Sequence, residues 1–251
     1  MNKKFIALLA GALLVAGMSG NAMASITNGD LFRVVYDTAD NVEAIADLGS
    51  IATLEAATSG TVVGNGAASF LSNGITNLAN SSVAYFSFQG NGTSGSLWVS
   101  GSTTTATVSA ALKLSGSGPQ LNTLQNTWAA DTAASGNNYY QGTTTSAPSY
   151  YLTADKGKTT GSLDNFVKTG AQYTEANLAN LATTAPQQAL YYFANANAST
   201  TGVAVLTLQT NADGSTTIIN GNTAATTPIP PAFFLMGSGL LGMFGLRRKK
   251  A

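Results

Sequence analysis

Carboxylates would have to carry out any acid–base or metal chemistry in this sequence. The chain contains no histidine and no cysteine, which excludes a Ser-His-Asp triad, a Cys-His dyad and a histidine-containing zinc site. Four acids cluster near its start, namely Asp37, Asp40, Glu43 and Asp47. Carboxylate oxygens suit Ca²⁺, but this spacing matches no calcium-binding loop. The cluster therefore indicates a solvated turn, and the sequence predicts neither a metal site nor a cofactor.

Paired carboxylates could also hydrolyse glycosides if the fold held two of them at a suitable separation. No spacing between the acids of this sequence demonstrates such a pair. The chain is therefore predicted not to be an enzyme, and a carboxylate-dependent glycoside hydrolase remains a minor alternative.

Aromatic residues offer a second kind of site, because flat apolar rings with polar edges suit sugar stacking. The candidates are Trp98, Trp128, Tyr139, Tyr140, Tyr150, Tyr151, Tyr191 and Tyr192. Most aromatic residues of a β domain pack in the core or across strands. Tyr139 and Tyr140 lie in a Gly- and Asn-rich segment, so they are the candidates least suited to a core. A secreted carbohydrate-binding module that contacts glycan through this pair is the main alternative function.

Several segments have the composition and alternation of β-strands. Residues 31–37 and 42–51 flank a short turn and predict an antiparallel pair. Residues 82–90 and 96–102 predict a second hairpin across a Gly-rich connection. Further strands are predicted over 189–196, over 202–210 and after the Asp213-Gly214 turn.

A change of hydrophobic period predicts a helix over residues 119–134. Leu121, Leu124 and Trp128 fall at positions i, i+3 and i+7 of one face. Pro119 suits the first turn, where a missing backbone N–H costs nothing.

The remaining body contains loops and short helical turns. Residues 135–149 predict a loop, and residues 162–167 and 174–182 each predict a turn or two of helix. Repeated hairpins at short spacing favour a mostly-β fold. We expect one β-sandwich-like domain over residues 25–221 with one to three short helices.

Charge is distributed unevenly between the ends and the body of the chain. The 251 residues include 11 basic and 11 acidic side chains. Six basic residues lie in the two terminal segments, whereas every acid lies between Asp30 and Asp213. The body is therefore acidic and lacks the basic surface that binds nucleic acids or anionic membranes.

The N-terminus has the pattern of a secretory signal peptide. A basic start precedes an apolar run to about residue 18, and Ala22-Met23-Ala24 fits the small-x-small cleavage pattern. Residues 1–24 are predicted to engage the secretion translocon and to be removed by signal peptidase. A secreted chain without cysteine has no disulfides, so its stability must come from core burial.

The C-terminus combines three features in a fixed order. Residues 222–231 are a linker that ends in Pro228-Ile229-Pro230-Pro231, residues 232–246 are apolar and uncharged, and residues 247–251 are basic. As a helix the apolar stretch would be about 22 Å long, and snorkelling basic side chains would help it span the hydrocarbon core. The positive-inside rule keeps the basic end in the cytoplasm. The sequence therefore predicts a transmembrane helix with a cytoplasmic tail.

The tail as a whole resembles a PEP-CTERM sorting signal. The resemblance rests on the proline motif, on the glycine-rich apolar stretch and on the basic end, whose residues include Gly237, Gly239, Gly242, Arg247 and Arg248. Glycines of this kind allow close helix–helix approach inside a membrane. The Pro-Glu-Pro that is usual in the family is replaced here by Pro-Ile-Pro-Pro.

This resemblance implies a processing enzyme and a destination. Exosortase, a membrane transpeptidase-like protease of Gram-negative bacteria, would cleave near the proline motif. The chain would be held transiently in the inner membrane and then delivered to the cell surface or the extracellular matrix. Because the family is associated with exopolysaccharide and biofilm, we expect a structural or adhesive role, with exopolysaccharide as a candidate partner.

Overall fold

The computed structural model describes residues 29–91, 94–102, 107–109, 117–135, 137–145, 149–152, 175–195 and 201–221. The predicted signal peptide, proline motif, transmembrane helix and basic tail lie outside these ranges, as does the helical turn predicted over 162–167. Within them, no helix has the length and hydropathy of a membrane span.

Strands dominate the described chain, which also contains two α-helices. Three short 3-10 turns lie between Gly66 and Asn80. The helices are α1 (Ile51–Glu55) and α2 (Ser117–Ser135). The strands are β1 (Asp30–Asp37), β2 (Val42–Ser50), β3 (Val62–Val63), β4 (Ser81–Asn91), β5 (Ser94–Ser102), β6 (Thr107–Ser109), β7 (Tyr139–Gly142), β8 (Ala176–Asn177), β9 (Gln187–Phe193), β10 (Thr201–Thr210) and β11 (Thr216–Gly221).

The described strands form one antiparallel sheet. Its order is β3-β11-β10-β9-β5-β4-β1-β2-β7, with β6 paired to β10 and β8 paired to β4. The predicted hairpins β1–β2, β4–β5 and β10–β11 are confirmed. The mostly-β class is therefore confirmed, but this continuous hydrogen-bonded sheet differs from the two stacked sheets of a β-sandwich.

Two local predictions, one of a loop and one of helical turns, are wrong. Residues 139–142, predicted as loop, form β7, which pairs with the outer edge of β2. Residues 174–182, predicted as helical turns, contain the short strand β8 and a turn after it. In both places a free edge offers backbone groups that need hydrogen bonds, and these groups recruit segments with weak local preference.

The sheet curls strongly. In the strand order β1 and β11 are five strands apart, which would be about 24 Å in a flat sheet. Nevertheless Arg33 Nη1 of β1 donates a hydrogen bond of 3.0 Å to Thr216 Oγ1 of β11. Tyr85 of β4 also reaches Thr216, at 3.0 Å. The face that carries these side chains is therefore the concave face.

Each face of the sheet buries its own core, because successive residues of a strand point to opposite sides. On β1 the alternation separates Phe32, Val34 and Tyr36 from Leu31, Arg33 and Val35. The convex core contains Phe32, Val34, Tyr36, Ile45, Phe86, Phe88, Leu97, Val99, Tyr191 and Phe193. The concave core contains Leu31, Val35, Leu48, Ile51, Leu54, Phe70, Ile75, Val83, Tyr85, Trp98, Leu190, Leu206, Leu208 and Ile218.

Helix α2 covers the convex face, and the predicted helix is confirmed with bounds extended to 117–135. Leu121, Leu124 and Trp128 are buried in the convex core as their spacing predicts. The Trp128 ring lies 5.7 Å from the Phe32 ring and 5.9 Å from the Phe86 ring, centroid to centroid. Aromatic contacts of this kind add to the free energy gained by burial alone.

Candidate functional site

Most of the aromatic candidates serve the convex core. Trp128, Tyr150 and Tyr191 are fully buried there, so a sugar cannot stack on them. Tyr151 is partly buried and packs against Tyr36, with ring centroids 5.1 Å apart. These four residues therefore act in packing, as most aromatic residues of a β domain do.

Tyr139 and Tyr140 lie side by side in β7 and are both half-buried. Tyr139 packs against the concave core, whereas Tyr140 packs against the convex core. Burial raises the pKa of the Tyr140 hydroxyl, and the charges of Asp131 and Glu43 raise it further. Because the two rings belong to opposite faces of the sheet, they do not form a common surface for one sugar.

The acidic cluster is mostly buried, contrary to the predicted solvated turn. Asp40 is exposed, but Asp37 and Asp47 are buried. Asp37 Oδ1 accepts hydrogen bonds from the backbone N–H groups of Ala39 and Asp40, at 2.8 and 3.1 Å, and so fixes the β1–β2 turn. A short acid that satisfies free backbone donors in this way favours a turn.

Glu43 anchors a distant segment to the sheet. Its buried carboxylate accepts hydrogen bonds from Ser149 Oγ at 3.1 Å, from the Tyr150 N–H at 2.8 Å and from the Tyr151 N–H at 3.0 Å. Backbone donors at the start of a helical turn suit a negative charge. This arrangement makes Glu43 a structural acceptor and leaves no oxygen of the carboxylate without a hydrogen bond.

Asp47 and Asp30 form a buried acidic pair at one end of the convex face. Each side chain is only 4% exposed. The pKa of Asp47 is raised to about 7, chiefly by burial and also by the Asp30 carboxylate, against the opposing effect of the Gly49 N–H. Two carboxylates that are both closed to solvent do not provide the open cleft that a glycoside hydrolase needs.

The described residues contain no group of three or more acidic, histidine or cysteine side chains that could hold a metal ion. Asp37, Asp40, Glu43 and Asp47 accordingly do not converge on one point. Their local spacing arises from the alternation of β2 and from the turn before it.

Sequence reasoning missed Arg33, which is buried in the concave core. Its guanidinium donates to Thr216 Oγ1, to the Gly64 carbonyl at 3.2 Å and to the Ala68 carbonyl at 2.6 Å. It also lies over the Phe70 ring, 5.2 Å from the centroid. A charged residue at an inward position of a hydrophobic strand was the available signal.

The environment of Arg33 is polar but largely neutral. Burial lowers the pKa of Arg33 to about 10, whereas Tyr85 and Asp213 oppose this shift. The Tyr85 hydroxyl is within hydrogen-bonding distance of Thr210 Oγ1 at 2.7 Å and of Thr216 Oγ1. Gly64 has a φ of 61°, and a Cβ there would lie 2.6 Å from Leu48 and 3.2 Å from Arg33. Glycine therefore lets this carbonyl approach the cation.

One group of residues at the margin of the concave core combines the exposed Glu55 and Val203 and the half-buried Tyr192 with Trp98, which is only 7% exposed. We call it the aromatic mouth and define it as Glu55, Trp98, Tyr192 and Val203. The Trp98 and Tyr192 rings are tilted by 43° with centroids 4.9 Å apart. Val203 is paired with Tyr192 in the sheet register and is 46% exposed.

Polar groups surround the two rings of the aromatic mouth. Glu55 ends α1 on the concave side, and its carboxylate lies beside the Trp98 indole. Partial burial raises the pKa of Glu55, and the indole N–H opposes this shift. Trp98 Nε1 is buried and makes no hydrogen bond of normal geometry. The same holds for Ser87 Oγ, whose residue is paired with Trp98 across β4 and β5.

No protein-family model, no curated protein and no solved structure matches this chain significantly. Its function must therefore be inferred from its own residues. The aromatic mouth and the C-terminal tail are the two features from which such an inference can start.

Proposed function

We propose that this chain is an exported, exosortase-processed protein of the cell surface or extracellular matrix, with a structural or adhesive role. The observation that carries the proposal is the order of proline motif, glycine-rich apolar stretch and basic end over residues 228–250. In this proposal residues 1–24 bring the chain across the inner membrane, and residues 232–246 hold it there until cleavage.

The folded body is compatible with such a route. The last strand among the described residues, β11, ends at Gly221, and the proline motif begins at Pro228. A connection of this length spans at most about 25 Å when fully extended. A membrane protease would therefore cut close to a folded sheet, and the released product would contain the whole body with a short tail.

The mass of the exported protein tests this route. We would measure it in cells with and without the candidate exosortase, and we expect a product from Ser25 to a residue near Pro228–Pro231 only when the enzyme is present. Replacing Pro228, Ile229, Pro230 and Pro231 by alanine should block processing. Replacing Ala224 and Ala225 by serine is the matched control. It should leave processing unaffected, so that the mass of the exported product changes only by the substitution itself.

A different result would place the protein elsewhere. A product that still ends at Ala251 in both strains would make the tail a permanent anchor. The protein would then stay at the periplasmic face of the inner membrane, and the matrix role would be excluded.

For the alternative function as a carbohydrate-binding module, we propose a different contact surface from the predicted pair of tyrosines. Tyr139 and Tyr140 belong to opposite faces, so the half-buried ring of Tyr192, which packs on the buried Trp98, is the better stacking surface. The hydrolase alternative gains no support from the buried pair of Asp30 and Asp47.

A further inference from the structure

The aromatic mouth contains one exposed apolar side chain, Val203, and one half-buried ring, Tyr192. The ring of Tyr192 lies at the limit of the concave core, against Trp98, and remains partly exposed. Val203 continues this surface on the neighbouring strand. We propose that the aromatic mouth binds a neutral polysaccharide chain, with Tyr192 as the stacking surface and Glu55 as the hydrogen-bond acceptor.

Stacking is the first part of the argument. One face of a pyranose ring presents C–H groups, which pack on the flat face of an aromatic ring. The Tyr192 hydroxyl lies 3.3 Å from Ser96 Oγ, and Trp98 supports the ring from one side. A ring fixed by two neighbours loses little conformational entropy when a ligand binds.

Hydrogen bonding is the second part. Sugars are recognised by polar groups placed beside the aromatic ring, and a carboxylate accepts strong hydrogen bonds from hydroxyl groups. The carboxylate of Glu55 belongs to an exposed residue next to Trp98. The Trp98 indole N–H lies beside this carboxylate, and Ser87 Oγ, opposite Trp98 in the sheet register, is a buried hydroxyl without a hydrogen-bond partner.

Charge selects the class of glycan. Glu55 would repel a uronate or sulfate group, and the acidic body of the chain adds to this repulsion. A neutral chain meets no such penalty. The ligand class is inferred from the geometry and charge of the mouth alone, so it does not depend on how the C-terminal tail is processed.

Tryptophan fluorescence of the exported protein tests the proposal, because one of its two tryptophans lies in the mouth. The probes are cellohexaose, dextran, galactomannan and the exopolysaccharide of the source cells, with an alginate oligomer as the acidic comparison. We expect a saturable change with at least one neutral probe. Tyr192→Ala should weaken that binding by roughly tenfold, and Glu55→Gln should weaken it by a smaller factor.

Two variants separate binding from folding. Tyr192→Phe keeps the ring and should bind nearly as well as the wild-type protein. Tyr139→Ala, which removes a half-buried tyrosine at the edge of the sheet, should leave binding unchanged. If Tyr192→Ala does not fold, the comparison of Glu55→Gln with wild type decides the matter.

Several outcomes would overturn the proposal. Absence of a saturable change with every neutral probe would exclude the site. Equal affinity of Tyr192→Ala, or of Glu55→Gln where Tyr192→Ala does not fold, would exclude the assigned residues. Tighter binding of the alginate oligomer than of any neutral probe would exclude the neutral ligand class. Because the assay uses purified protein, each of these results would leave the proposed sorting route unaffected.

Discussion

The two faces of the sheet are stabilised in different ways. The convex face is an aromatic core under α2, with buried carboxylates near its margin that accept backbone hydrogen bonds. The concave face has a guanidinium inside its core, and hydrogen bonds from Arg33 and Tyr85 connect strands that are distant in the sheet. Apolar packing therefore attaches the helix, whereas the curl is closed by apolar contacts together with a polar network.

This difference shows why burial of a charge need not indicate a catalytic site. Arg33 has one carbonyl acceptor from each of Gly64 and Ala68 and a hydroxyl from Thr216, all of them neutral. A buried charge costs much less free energy when it is hydrogen-bonded. We expect this network to define the curvature more sharply than apolar contacts alone would, at some cost in stability.

Trp128→Ala should give the largest effect, because it removes the ring that joins α2 to the convex core. We expect the free energy of unfolding to fall by about 3–5 kcal/mol. Hydrogen exchange should accelerate in α2 more than in β10 and β11. Urea denaturation with amide exchange measures both quantities, and uniform acceleration in all strands would contradict independent stabilisation of the two faces.

Arg33→Ala should cost about 3 kcal/mol, because it leaves the carbonyls of Gly64 and Ala68 buried without a donor and opens a cavity. In Arg33→Ala, amide hydrogen exchange should accelerate first in β3 and β11. Arg33→Met is the matched variant, since it fills the volume without hydrogen bonding. If Arg33→Met is as stable as wild type and exchanges equally slowly, the polar network does not hold the curl.

Asp47→Asn should remove a pH dependence of stability. The unfolded carboxyl titrates near pH 4, whereas the folded one has a pKa of about 7. The folded state holds the proton in that interval, so the free energy of unfolding falls as the pH rises from about 4 to about 7. The variant should be about 1–3 kcal/mol more stable than wild type at pH 8 and nearly equal at pH 4.5. Asp40→Asn, at an exposed turn, should show no such difference.

Glu43→Gln should have the smallest effect, about 1–2 kcal/mol of lost stability. The amide keeps one acceptor oxygen but turns a donor towards the groups that now donate to the carboxylate. Protection of the Tyr150 and Tyr151 amides should fall more than that of the sheet. Glu55→Gln on the exposed end of α1 should change the stability by much less, and an equal loss in both variants would contradict the role of Glu43.

Local patterns predicted the elements that local physics determines. The alternation of β1 and the i, i+3, i+7 spacing of Leu121, Leu124 and Trp128 are confirmed. In both elements the apolar side chains that recur with the expected period are buried in the two cores. β7 was missed, since Tyr139–Gly142 becomes a strand through the free edge of β2 and not through its own composition. The single sheet was missed as well, because strand order depends on pairings between remote segments.

The candidate site was less predictable than the fold. The sequence identified Trp98 and Tyr192 only as two of eight candidate stacking residues, and the β5–β9 register brings them together. Arg33 and the burial of Asp47 depend on the curl, which no local pattern encodes. Residues that share a strand could be placed from the sequence, and residues that meet across the sheet could not.

The concave network also has a consequence for how the chain acquires its structure. Arg33 and Thr216 are separated by 183 positions, and Leu97 pairs with Phe193 about a hundred residues later. Such topologies fold slowly, because loop-closure entropy is lost before the distant contacts form. If the chain crosses a membrane from its N-terminus, the β1–β2 and β4–β5 hairpins emerge early, but the curl cannot close until β11 has followed. Completion of the fold would then report that translocation of the body is finished.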